Sequence, residues 1–287
     1  MRGVPRLCHL TDLHLLEDDF RSRRRVERLQ VGYLSLRRTV DPEDRRARAA
    51  AALRDAAAAN PDHVLISGDL TELGSLPQYD LLRQLLDASG LCPEQVTLLA
   101  GNHDAYGLGW REVLDGPLDR WAAHARPGAV VPLPAGVKLV HVDTSTPQPF
   151  WLSSGTAPRD QLVATADTAA SAGAAVIMAM HHPPHRVLHH WVHGLRNLTE
   201  VEALLAAQPR VVALFGHMHV ERDLTLAPDG PARAYAAAGV VDHDRPVRVY
   251  EFDATGLWPL TPAAAPAARR GSGAARAGEA PSEPTPR

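Results

Sequence analysis

Aspartate, histidine and asparagine gather in five short stretches of this chain. They are Asp12-Leu13-His14, Gly68-Asp69, Gly101-Asn102-His103-Asp104, His181-His182 and Gly216-His217-Met218-His219. Each closes an apolar run that reads as a buried strand, so each falls where a strand turns into a loop. Carboxylates, imidazoles and an amide oxygen, with no thiolate among them, suit hard or borderline ions: Mn, Fe or Zn ahead of Mg or Ca. In extended backbone, residues i and i+2 point the same way. Asp12 and His14 are therefore expected to reach one ion, and His217 and His219 to face the same site. About seven ligands exceed what one tetrahedral ion takes; two ions sharing a bridging carboxylate would use them all. A metal pair roughly 3.5–4 Å apart is a common device for phosphoryl transfer, activating water and neutralising phosphate oxygens. Singly, each stretch also fits an ordinary polar turn. Five in order, each behind an apolar run, make the metal site the stronger reading.

The elements that must position these clusters begin with strands over 6–10, 62–67 and 96–100, separated by helices over 41–59 and 76–88. Asp41-Pro42 supplies an N-cap followed by proline at the first helical position, and Asn60-Pro61 stops that helix. A strand, a polar cluster and a helix, repeated, predict parallel strands with helical crossovers in a doubly wound α/β sheet. Such sheets carry their sites outside the carboxyl ends of the strands. Further strands are expected over 137–143, 174–180 and 210–215, and helices over 112–124, 159–172 and 198–207. Strands over 220–226, 232–237 and 245–252 are expected to be antiparallel.

The chain has 287 residues, 45% of them apolar, and a net charge of −3. A substantial core can form, and nothing global attracts nucleic acid or an anionic membrane. Cys8 and Cys92 form no metal-binding pair spacing and no disulfide framework. No signal-peptide pattern leads the sequence, and the longest apolar stretch, 174–180, is far too short to span a bilayer. A cytoplasmic protein is expected. Residues 17–48 form an arginine-rich insertion, with ten arginines against four acidic residues between Arg21 and Arg48 and an apolar island over 31–36. The plain expectation is a solvated, partly helical segment. The sharper one is a basic lip for a phosphate-bearing substrate or an anionic surface. Residues 261–287, rich in Ala, Pro, Gly, Ser and Arg, are expected to be a disordered tail behind a catalytic domain over 1–260.

The set D-x-H, G-D-x-x-E, G-N-H-D, H-H-P-P and G-H-x-H resembles the calcineurin-like metallophosphoesterases. Its H-H-P-P form is most similar to bacterial class III cyclic nucleotide phosphodiesterases and glycerophosphodiesterases. The resemblance implies a four-layer α/β/β/α sandwich of two mixed sheets, with the late antiparallel strands in the second sheet. It also implies two divalent ions. Asp12, His14 and His219 would hold the first, Asn102, His181 and His217 the second, and Asp69 would bridge them. His181 is preferred to His182 because the family ligand stands two residues before a proline, as His181 does before Pro183. His103 would contact the phosphate and protonate the leaving alkoxide, and Asp104 would orient or tune His103. Glu72 is expected to be structural or supporting. The implied activity is hydrolysis of a small phosphodiester, a cyclic nucleotide, glycerophosphodiester or similar, through in-line attack of metal-bound hydroxide. A phosphomonoesterase, a nucleotide-lipid pyrophosphatase and a non-catalytic scaffold are the alternatives. Peripheral contact with an anionic or lipid substrate fits the arginine-rich segment, whereas nucleic acid is not expected as a partner.

Overall fold

Alternation of side chains along short apolar strands builds two sheets and decides what each face meets. The computed structural model describes residues 3–35, 40–226 and 231–260; the expected tail lies outside them, as do residues 36–39 of the arginine-rich segment. Strands β1 (Arg6–Leu10), β2 (His63–Ser67), β3 (Val96–Leu99), β4 (Val130–Pro132), β5 (Lys138–His141) and β6 (Val176–Ala179) are followed by β7 (Val211–Phe215), β8 (Arg222–Thr225), β9 (Ala232–Ala236), β10 (Arg248–Asp253) and β11 (Gly256–Pro259). One sheet has the order β11-β10-β1-β2-β3 and the other β4-β5-β6-β7-β9-β8. The helices are α1 (Arg25–Leu34), α2 (Pro42–Ala58), α3 (Leu76–Asp87), α4 (Trp110–Leu114), α5 (Arg159–Ser171), α6 (His190–His193) and α7 (Leu198–Ala207).

Successive strand residues point to opposite faces. Leu7, Leu65 and Leu99 of the first sheet share one buried layer with Leu139, Ile177 and Leu214 of the second. Their neighbours Cys8, Val64 and Leu98 turn outward to pack with Ala52, Leu53, Tyr79 and Leu82 of α2 and α3. On the far side, Val176, Met178 and Ala213 pack with Leu162 of α5 and Val201 and Leu205 of α7. The layers therefore run α/β/β/α, and both sheets are mixed, in place of a single doubly wound sheet.

Two expectations change. Strands β8 and β9 do join the second sheet, but β10 pairs antiparallel with β1 and carries β11 into the first sheet. Moreover, β9 runs parallel to β7. An alternating strand records which face is buried, not which edge it joins. The expected helix over 112–124 is cut to α4 and a single 3-10 turn at Asp119–Trp121, because Gly116-Pro117 interrupts the helical hydrogen bonding. The arginine-rich segment does contain a helix, α1. It is pinned by Val31 and Leu34 against Leu16, Phe20 and Leu73. No described helix is long and apolar enough to cross a membrane.

Candidate metal centre

The five clusters leave the carboxyl ends of β1, β2, β3, β6 and β7. In each sheet these strands are parallel neighbours, so the two sheets bring their loops to one edge. The first two loops run side by side: Asp12 N–H donates to Gly68 O at 3.0 Å, His14 N–H to Asp69 O at 2.9 Å and Leu15 N–H to Leu70 O at 3.1 Å.

The backbone there is not extended. Asp12, His14, Asp69, His217 and His219 have φ of 55°, 48°, 48°, 70° and 55°. The i, i+2 convergence of Asp12 with His14, and of His217 with His219, thus comes from paired left-handed residues rather than from strand pleating. Left-handed backbone at a non-glycine residue costs about 1–3 kcal/mol and gathers at functional sites. Gly101 has another role than turning. A Cβ there would stand 2.1 Å from Asp69 Oδ1, so only glycine lets the β3 loop close on that carboxylate.

Two donor sets result, each with ligand atoms within 4.8 Å of one another: Asp12, His14 and His219, and Asp69, His181 and His217. In the first, His14 Nε2 and His219 Nε2 are 3.1 Å apart, and Asp12 Oδ1 lies 3.3 Å from His219 Nε2. In the second, His181 Nε2 lies 3.3 Å from both His217 Nδ1 and Asn102 Oδ1. Asp69 stands between them, with Oδ1 3.4 Å from His181 Nε2 and Oδ2 3.7 Å from His14 Nε2. All seven expected ligands are thereby brought together. A third set, His14, Glu72 and His103, adjoins them.

The residues fit a pair of cations. Asp12 Oδ1 is buried without a hydrogen-bond partner, which is costly unless an ion or donor takes it. Imidazole nitrogens converge on each other and on carboxylates. Burial lowers the basicity of His181, but the charge and hydrogen bond of Asp69, with Asp12 behind it, outweigh burial and carry its pKa up to about 9. The Asp69 and Asp12 carboxylates thus favour positive charge at this position.

The supporting contacts set each ring. His181 Nδ1 meets Ser67 O at 2.8 Å, which leaves Nε2 to the cluster. His182 turns away, its Nδ1 2.8 Å from Thr144 Oγ1 and its Nε2 3.0 Å from Ser153 O. Burial, with the His181 charge second, pulls the His182 pKa down to about 3. His14 Nδ1 faces Glu72 Oε2 at 3.1 Å, and His219 Nδ1 faces Asp242 Oδ2. Glu72 is held by Arg45 at 2.8 Å and by Ser35 Oγ at 3.0 Å, all buried.

Asp104 does not orient the His103 ring. Its carboxylate accepts from Leu70 N, Gly101 N, Thr71 N and Thr71 Oγ1 at 2.7–3.0 Å. It ties the β3 loop to the β2 loop instead. Burial first, and the Asp69 charge second, raise its pKa to about 7. His103 Nδ1 lies 3.0 Å from the Glu72 carbonyl oxygen, so a backbone group sets its orientation.

The sequence reading missed Arg45 and Asp242 as supports. Arg45 was visible as a charge on the alanine face of α2, in step with the buried Ala49, Ala52 and Ala56. Asp242 follows the apolar run 234–241 as the other clusters follow theirs. An open cavity of about 640 Å³ is lined by Asp69, Asn102, His217 and His219 and by Tyr33, Phe150, Trp151, Val192 and Met218.

Residues 5–221 match the calcineurin-like phosphoesterase family. Among solved structures, a dimetal phosphatase from Danio rerio is similar at 15% identity and a TM-score of 0.65, over 91% of this chain and 99% of that one. A purple acid phosphatase from seeds of yellow lupin, Lupinus luteus, is similar at 12% identity and a TM-score of 0.55, over 88% of this chain and 50% of that one. No curated protein sequence matches the chain. With a match of that extent over the five clusters, the chain belongs to the calcineurin-like phosphoesterase family.

Proposed function

We propose that the protein is a two-metal phosphoester hydrolase whose substrate is a phosphodiester. The observation that carries this reading is the Asp69 carboxylate, one oxygen toward His181 and the other toward His14. Asp12, His14 and His219 would hold one ion, Asn102, His181 and His217 the other, and Asp69 would contribute to both. When bound, the ions supply Lewis-acid polarisation of phosphate oxygens and activation of water. The donor set favours Mn, Fe or Zn.

The chain's own residues do the rest. His103 donates its Nδ1–H to the Glu72 carbonyl oxygen, and Nε2 is then the atom that hands a proton to the leaving oxygen. Asp104 fixes the loop that carries Asn102 and His103. Glu72 and Asp242 keep His14 and His219 presenting Nε2.

The cavity supports a diester. Its wall runs from His103 to Tyr33 and Phe150, whose ring centroids are 5.4 Å apart. On the His217 side it continues to His193, 6.3 Å between centroids, and to Val192. Room on both sides suits an ester with two organic substituents. A phosphomonoester is the second reading, favoured because both solved neighbours are named phosphatases.

Comparing bis(p-nitrophenyl) phosphate with p-nitrophenyl phosphate in Mn-, Fe- or Zn-loaded enzyme separates the two. A higher kcat/KM on the diester is expected; preference for the monoester overturns the diester assignment. His103→Ala is expected to keep its metal and lose about 10²–10⁴-fold on an ester with a poor leaving group. Unchanged turnover there removes His103 from proton transfer.

A further inference from the structure

Thirteen large apolar side chains are exposed among the described residues, and six of them stand on three segments beside the cavity mouth: Val26, Leu29, Tyr33, Trp151, Leu188 and Trp191, at 49–80% exposure. The segments are joined. The Tyr33 ring of α1 meets Phe150 at 5.4 Å, and Phe150 meets Trp151 at 5.2 Å. The strand of loop that follows is hydrogen-bonded to the third segment, Ser153 N–H to Val192 O at 2.9 Å. Tyr33 and Trp151 also line the cavity. Single exposed apolar residues are ordinary, but a rim of them around a site is not.

Helix α1 has two apolar faces. Val31 and Leu34 face inward and are already used in packing. Val26, Leu29 and Tyr33 form a second, outward stripe. Arg25 and Arg28 flank it, and Arg21 precedes it. None of these three arginines forms an ion pair among the described residues, whereas the neighbouring Arg23 is neutralised by Glu17 and Glu27. A solvated face would carry polar groups throughout. An outward stripe of aliphatic and aromatic residues bordered by arginine is the composition of a helix lying in a lipid interface. Exposed tryptophans suit the same layer, an apolar ring with a polar edge.

We propose that this rim docks onto an anionic lipid surface, with the outward stripe of α1, Trp151 and Trp191 entering the headgroup layer and Arg21, Arg25 and Arg28 meeting lipid phosphates, so that the cavity mouth opens toward the membrane. Single-stranded nucleic acid also takes arginine with aromatics. Val26, Leu29 and Leu188, however, have no ring for a base to stack on. The overall charge of −3 opposes a polyanion elsewhere on the molecule, whereas a flat anionic surface meets the basic patch alone. The consequence for substrate choice, a phosphodiester carried in or on the lipid layer, rests on the proposed two-metal hydrolase; the docking itself does not.

Sedimentation of the full, metal-loaded chain with vesicles tests the docking. Binding is expected to mixed phosphatidylcholine–phosphatidylglycerol vesicles, to weaken with added salt, and to be much poorer with phosphatidylcholine alone. Arg25→Glu with Arg28→Glu is expected to weaken binding roughly tenfold or more, and Val26→Asp with Leu29→Asp by a similar factor. Trp191→Ser, on a different segment, weakens it independently. None of these side chains lines the cavity, so turnover of a soluble aryl phosphodiester is expected to persist. Three results each overturn the docking: no sedimentation of the wild type with anionic vesicles, binding that these variants leave unchanged, and displacement of the vesicles by a single-stranded oligonucleotide. Sedimentation without any turnover of soluble esters sinks the hydrolase reading and leaves the docking standing.

Discussion

Replacing Arg45 with methionine strands a buried carboxylate. Arg45 reaches from α2 to donate to Glu72 Oε2 at 2.8 Å, to Ser35 Oγ at 2.9 Å and to His14 O at 3.0 Å. Both side chains of the ion pair are 0% exposed. Methionine keeps the length and apolar stem, so the loss isolates the charge. Removing one partner of a buried pair costs about 3–5 kcal/mol, because the other charge remains without compensation. At about 2–4 °C per kcal/mol for a chain of this size, Tm is expected to fall by roughly 6–20 °C. The double variant Arg45→Met, Glu72→Gln removes both charges and keeps an acceptor for His14. It is expected to recover at least about half of the loss. Urea and thermal unfolding in chelator separate this from metal-linked stability. A loss under about 1 kcal/mol for Arg45→Met, or a double variant no better than the single, refutes the assignment of Arg45 as the counter-charge of Glu72.

Two further outcomes are expected. Glu72→Gln leaves the His14 ring with a neutral partner in place of a carboxylate, so titration of the apo-protein with Mn or Zn should give affinity roughly 10–100-fold weaker than wild type; equal affinity contradicts the support assigned to Glu72. His63, at the start of β2 and so at the opposite end of that strand from the donor residues, is pulled by burial, and secondarily by the His124 charge, from 6.5 to about 3. Below 6.5 the unfolded chain binds the proton and the folded chain does not, so the contribution of His63 is complete above 6.5 and is lost as pH falls toward about 3, at up to about 1.4 kcal/mol per pH unit. His63→Gln is expected to flatten the fall in urea midpoint between about pH 6 and pH 4; an equally steep fall refutes the attribution.

The donor residues were legible because ligand-type side chains at the ends of apolar runs are a local signal. The layers were legible only through the family resemblance, since alternation along β10 names its faces and not its partner. The supports were harder to find. Arg45 lies 27 residues from Glu72, and Asp242 lies 23 from His219, so each meets its partner only after packing. The left-handed backbone at Asp12, His14, Asp69, His217 and His219 carries no glycine signature, because the surrounding hydrogen bonds impose it. Asp104 shows the converse error: adjacency to His103 in sequence suggested a partnership, while the loop turns its carboxylate toward Leu70 and Thr71.

The central claim is that two ions share Asp69. Anomalous diffraction from Mn-loaded crystals measures it directly. Two peaks are expected, roughly 3.5–4 Å apart, with the Asp69 carboxylate between them, Asp12, His14 and His219 on one side and Asn102, His181 and His217 on the other. A single peak, or one enclosed by His14, Glu72 and His103, contradicts it.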